Sequence, residues 1–140
     1  MKIMAIDYGD ARTGVAISDL LCSIVGSTYV VPSRNTEKAI ADIVKLAKNN
    51  LVGEIVVGLP KNMDGTEGFR ADRCREFAEM LAERLPDLSI AMMDERLTTV
   101  SASRYLNETN TRGKKRKGVI DTLSAEIILQ NCLDRLKYLS

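Results

Sequence analysis

Acidic side chains at the ends of apolar runs are the residues of this chain best placed to do chemistry. Ile3-Met4-Ala5-Ile6 runs straight into Asp7, and Leu88 to Met93 (LSIAMM) runs into Asp94 and Glu95. A third acid precedes the last helical pattern. Ala125, Ile128, Leu129, Cys132, Leu136 and Leu139 mark one apolar stripe, and one helical turn back from Ala125 stands Asp121. An acid carried to the tip of a buried strand needs a partner, a metal or a shifted proton affinity, because an unpaired buried charge is costly. Asp121 also suits helix capping and the helix dipole, but neither role requires the inward face. The chain has no histidine, which excludes Ser-His-Asp and Cys-His nucleophiles and any His-ligated zinc. Three carboxylates without histidine suit Mg²⁺ or Mn²⁺. Two such ions about 3.5–4 Å apart activate a water and stabilise the leaving oxygen in phosphodiester cleavage. Asp94 and Glu95 fall on opposite faces of their strand, and sequence alone does not set the register that chooses between them.

Basic residues give such a centre something to act on. Arg112, Lys114, Lys115, Arg116 and Lys117 crowd the approach to Asp121, in a stretch (NETNTRGKKRKG) that reads as a polar linker. Alone, a charge run is a solvated surface; beside an acidic centre it fits a polyanionic substrate. Aromatic residues are only 4% of the chain, so backbone phosphate and shape recognition fit better than base stacking. The segment GLPKNMDG has two readings. Gly58 and Gly65 permit tight turns, or the loop is a flap whose Lys61 and Asn62 touch the substrate backbone. Thr98 and Thr99 read as helix caps.

The elements that must position these groups follow from periodicity. Met1 to Asp19 reads as a strand, a Tyr8-Gly9-Asp10 turn and a second strand from Thr13 to Ser18; Ser23 to Val31 is a third. An amphipathic helix with Ile40, Ile43, Val44 and Ala47 on one face leads to a short apolar strand, Glu54 to Gly58. A second helix buries Ala71, Cys74, Ala78, Leu81 and Leu85, and LSIAMM is the fifth strand. A short helix after Thr98–Thr99 and a last helix from about Val119 complete the chain. The pattern predicts one α/β domain over residues 1–140. Its mixed five-stranded sheet is a three-strand antiparallel meander followed by two parallel strands, flanked by helices. A net charge of +1 excludes nothing by itself. No apolar run approaches the roughly 20 residues of a membrane span, and no secretory leader pattern is present. Three scattered cysteines suit a reducing cytoplasm better than a disulfide framework.

These segments resemble the YqgF (RuvX) family of RNase H-like proteins, related in fold to the Holliday-junction resolvase RuvC. The resemblance is carried by Asp7-Tyr8-Gly9 with Arg12 and Gly14-Val15-Ala16, and by Val57-Gly58-Leu59-Pro60 with Met63-Asp64-Gly65. Asp94-Glu95-Arg96-Leu97-Thr98-Thr99 and Lys117 with Asp121 complete it. It implies an RNase H-like fold and a nuclease acting in 5′-end processing of pre-16S ribosomal RNA, with Asp7, Glu95 and Asp121 as catalytic, metal-holding acids. Glu95 is preferred to Asp94 because its longer side chain reaches past the strand end. Where the family often has Lys-Arg after its Asp-x-Gly turn this chain has Ala11-Arg12, so only Arg12 carries over. Arg12, Lys61, Asn62, Arg96 and the cluster from Arg112 to Lys117 are the expected nucleic-acid contacts. The competing readings are a resolvase on branched DNA, which requires a two-fold dimer where an RNA nuclease works as a monomer, and a non-catalytic nucleic-acid-binding factor in ribosome assembly. An actin-like kinase also opens with an Asp-Gly turn, but 140 residues leave no space for its second lobe.

Overall fold

The computed structural model describes residues 1–62, 64–94 and 113–139, with the side chains of the last helix from Thr122 to Leu136. Strands β1 (Lys2–Asp7), β2 (Arg12–Ser18) and β3 (Val25–Pro32) form an antiparallel meander. β4 (Val52–Leu59) lies parallel to β1 on its other side, and β5 (Ser89–Asp94) lies parallel to β4. The sheet order is β3-β2-β1-β4-β5, the mixed five-stranded sheet that the sequence predicts. Three helices accompany it among the described residues: α1 (Thr36–Asn49), α2 (Phe69–Arg84) and α3 (Gly113–Leu139). The expected helix after Thr98 lies outside the described residues.

Alternation along β1 divides the core in two. Met4 and Ile6 join Val15, Ile17, Ile55 and Val57 on the face covered by Ile40 and Ile43 of α1 and by Phe77 and Leu81 of α2. Ile3 and Ala5 join Ala16 and Val56 on the opposite face, under Ala125, Ile128, Leu129 and Leu133 of α3. Both faces of β1 are thus covered, which is why its sequence is continuously apolar rather than alternating. The small Ala5 and Ala16 let α3 lie close across β1 and β2.

Capping and turn chemistry account for the boundaries. Asn35 caps α1 by accepting from the Lys38 amide at 3.1 Å. β3 begins at Val25 rather than Ser23, because the Asp19 carboxylate takes the backbone N–H groups of Ser23 (2.8 Å) and Ile24 (3.3 Å) into a turn. Those bonds, that of Ser23 first, hold the Asp19 carboxyl below the usual carboxylate range. α3 begins at Gly113, six residues before the predicted start, so Lys114 to Lys117 stand on a helix rather than in a linker. Lys and Arg are good helix formers, and a charge run does not by itself break a helix. Its core stripe also differs from expectation. Leu133 is fully buried whereas Leu136, two turns beyond Leu129 on nearly the same face, is 42% exposed. No helix among the described residues is long and apolar enough to cross a membrane.

Candidate active site at the strand tips

Asp7 is the last residue of the central strand, half-buried, and alternation sends it with Ile3 and Ala5 to the α3 face. Its antiparallel partner on β2 is Gly14. On the other side, the register pairs Ile6 with Val57, so the next residue of β4 beside Asp7 is Gly58. Asp7 therefore has a glycine on each flank, and no side chain from either neighbouring strand crowds its carboxylate. Gly58 is a buried strand residue rather than a turn former, whereas Gly65 does turn the chain, with φ at 89°.

The turn after Asp7 is held from several directions. Gly9 approaches the Arg12 carbonyl so closely that a Cβ there would lie 2.3 Å from the oxygen. The Ser33 hydroxyl donates to the Gly9 carbonyl, and Arg73 of α2 pairs with Asp10. Arg12 shares the α3 face with Gly14 and Ala16, and so with Asp7. Tyr8 takes the other face and stacks on Phe77 of α2, with ring centroids 4.4 Å apart and planes at 28°.

β5 brings the second acidic pair to the same edge. Asp94 pairs with Leu59, one residue beyond the level of Asp7 and Gly58. It follows Ile90 and Met92 in alternation, and both of these pack toward α1 and α2. Asp94 thus occupies the face opposite Asp7. Glu95, Arg96 and Arg112 lie outside the described residues.

α3 runs antiparallel to β1. Cys132 lies at the start of β1: burial first and the Glu54 carboxylate second push its thiol up, and Glu54 pairs with Ile3. Gln130 donates to the Ser23 carbonyl at 3.4 Å at that same end of the sheet. From Cys132 back to Asp121 the helix covers about 16 Å, and from Ile3 to Asp7 the strand covers about 13 Å. The backbone of α3 at Asp121 therefore arrives at the level of the strand tips. Asp121 and Lys114, Lys115, Arg116 and Lys117 stand on its first turns. Among the described residues no three acids or cysteines come together as a metal cage.

The loop after β4 is internally bonded. The Asn62 side-chain amide donates to the Thr66 hydroxyl at 2.9 Å, and its backbone N–H to the Thr66 carbonyl at 2.8 Å. Glu67 pairs with Arg75 of α2, and that hydrogen bond, aided by Lys61, holds its carboxyl below the usual range. The Asn62 amide is thus engaged within its own loop, while Lys61 stands beside Glu67.

Sequence reasoning missed a second feature. A cavity of about 450 Å³ opens on the α1–α2 side of the Asp7 turn, over Tyr8, Phe77 and Met80 and beside Ser33, Arg34 and Glu76. The signal was present: Phe77 falls at helical spacing from Cys74 and Leu81, and Tyr8 must face away from Asp7.

The model of the RuvX family, described as a Holliday junction resolvase, matches residues 1–135. Among curated proteins, one from Halothermothrix orenii is 46% identical over 134 residues, spanning 96% of this chain and 95% of its own. One from Ruminiclostridium cellulolyticum is 42% identical over 137 residues, spanning 97% and 96%. Both bear the name "Putative pre-16S rRNA nuclease". Among solved structures, RuvC of T. thermophilus in complex with a Holliday junction substrate superposes with a TM-score of 0.62 at 10% identity, covering 98% of this chain and 96% of that one. The Fowlpox virus resolvase bound to junction DNA gives 0.64 at 9% identity, covering 97% and 99%. The fold is thus the RNase H-like fold of these resolvases, and with a family match over nearly its whole length the chain belongs to the RuvX family.

Proposed function

We propose that this protein is a divalent-metal-dependent endonuclease that hydrolyses phosphodiester bonds in 5′-end processing of pre-16S ribosomal RNA. The observation that carries the reading is Asp7, held at the tip of the central strand between Gly14 and Gly58 on the face toward α3. The names of the two close relatives support the RNA substrate.

The donor set fits hard cations: carboxylates on a chain without histidine, with glycines on either side of Asp7. Asp7, Glu95 and Asp121 would hold Mg²⁺ or Mn²⁺, which supplies the Lewis acidity that activates a water and stabilises the leaving oxygen. What this chain's own residues do is position. β1 fixes Asp7, and α3 carries Asp121 toward the same edge. One observation supports Glu95 over Asp94: β5 turns Asp94 to the face opposite Asp7. Arg12, Arg96, Arg112 and the basic first turns of α3, Lys114 to Lys117, would neutralise the phosphate backbone on either side of the cut, with Lys61 and Asn62 at the loop beyond β4. The whole chain would act as one domain. Its three cysteines carry no disulfide, which suits the cytoplasm.

A cleavage assay tests this directly. Wild type with Mg²⁺ or Mn²⁺ should cut a pre-rRNA 5′ fragment, and Asp7→Asn should not; equal cutting by both would remove Asp7 from the chemistry. The family description as a Holliday junction resolvase favours one second reading. A four-way junction in the same assay, with the solution mass of the protein, decides it, since symmetric junction cleavage requires a dimer. If a variant lacking all three acids still supports ribosome maturation, the protein acts as a binding factor instead.

A further inference from the structure

The cavity on the α1–α2 side of the Asp7 turn has the composition of a nucleotide site. Its volume of about 450 Å³ falls within the roughly 300–1,000 Å³ of small-ligand pockets. Phe77 is 1% exposed and packs under Tyr8, fixing the plane of a half-buried ring that lines the space. Met80 adds a polarisable thioether. A planar, polarisable ring is the ligand such a wall accepts.

The charges sort themselves by whether they are already engaged. Arg73 is paired with Asp10 and lies 4.7 Å from the centroid of the Phe69 ring. Arg34 lines the cavity, is exposed and has no ion pair among the described residues. It is the cation left for an incoming phosphate. Glu76 also lines the cavity without an ion pair among the described residues. A carboxylate accepts from the exocyclic amino group of cytosine, adenine or guanine, whereas uracil carries a carbonyl in place of cytosine's amino group.

We propose that this cavity binds a nucleotide, its base against Tyr8, its amino group on Glu76 and its phosphate on Arg34, and that during cleavage the occupant is a nucleotide of the substrate strand flanking the cut. The strand context rests on the nuclease reading; the pocket's chemistry does not. Asp7 and Tyr8 are adjacent and face opposite sides of one sheet, so a strand crossing the sheet edge meets both.

The test uses the full chain with methyl-labelled methionine. Among the described residues, Met80 is the methionine that lines the cavity. CMP added to the Asp7→Asn variant should move the Met80 methyl resonance, and Arg34→Ala should weaken that binding about tenfold. UMP should bind more weakly than CMP, with the gap narrowed by Glu76→Gln. A single-stranded oligonucleotide should move Met80 as well. An unmoved Met80 at millimolar CMP overturns the proposal, as does an equal response to inorganic phosphate alone. A response to CMP without one to the oligonucleotide overturns the substrate-strand source and leaves a site for free nucleotides. Cleavage by wild type with an unmoved Met80 sinks the pocket alone; a moved Met80 without cleavage by wild type sinks the nuclease reading alone.

Discussion

Among the described residues, Glu126 of α3 holds a buried carboxylate oxygen that nothing stabilises. Its Oε2 is buried without a hydrogen-bond partner, and burial raises its carboxyl above the usual range. An acid whose proton affinity is higher folded than unfolded binds more protons in the native state between the two titrations. Native stability therefore falls as pH rises through that window, and the full cost is present at neutral pH. Glu126→Gln replaces the charge with a neutral amide of the same shape, removing about 1 kcal/mol of desolvation at pH 7.5. For 140 residues the unfolding entropy is about 0.3 kcal/mol/K, so the variant should melt about 3–4 °C higher. Below the unfolded titration of glutamate both states are protonated and the gain should vanish. Thermal unfolding followed by circular dichroism at pH 7.5 and pH 4 measures both limits. A variant no more stable than wild type at pH 7.5, or one whose gain is undiminished at pH 4, would refute the reasoning.

Three other outcomes are expected. Asp94→Asn should retain cleavage with Mn²⁺ while Glu95→Gln loses it; loss confined to Asp94→Asn would reverse the assignment. Neutralising Lys114, Lys115, Arg116 and Lys117 together should flatten the dependence of log Kd on log salt by about three, read by fluorescence anisotropy across a salt series; an unchanged slope would take the cluster out of the binding surface. Gly9→Ala forces a Cβ to within 2.3 Å of the Arg12 carbonyl, so the turn must shift. Its melting temperature should fall by several degrees, as expected for a loss of about 1–3 kcal/mol, and an unchanged value would show that the turn yields freely.

The sheet was legible because each strand is set by its own residues. β-branched and apolar runs end at Asp7, Pro60 and Asp94, and short connections leave few topologies. The helix faces were legible where the stripe is narrow, as in α1. α3 was misread at both ends for a common reason: sequence periodicity weighs local pattern, whereas packing decides which leucine faces the sheet and whether a basic stretch joins the helix. Asp7 was readable because a carboxylate that ends an apolar run is conspicuous. Which face Asp94 takes was not, since that depends on register across β4. The cavity was harder to read because its parts come from separate stretches of the chain, Tyr8 after β1, Arg34 before α1, and Glu76 and Met80 on α2.

The opposed directions of Asp7 and Tyr8 make the length of the first strand part of the chemistry. The Ile3 amide donates to the Ser18 hydroxyl at 2.9 Å, and an irregularity in pairing at Lys2/Ile3 fixes where β1 joins β4. Removing one residue between that anchor and the turn would exchange the two side chains, sending the aromatic ring toward α3 and the carboxylate toward the cavity. Insertions and deletions should therefore accumulate elsewhere in the family, in the connections after β2 and β4, while β1 keeps its count of residues even where their identities drift.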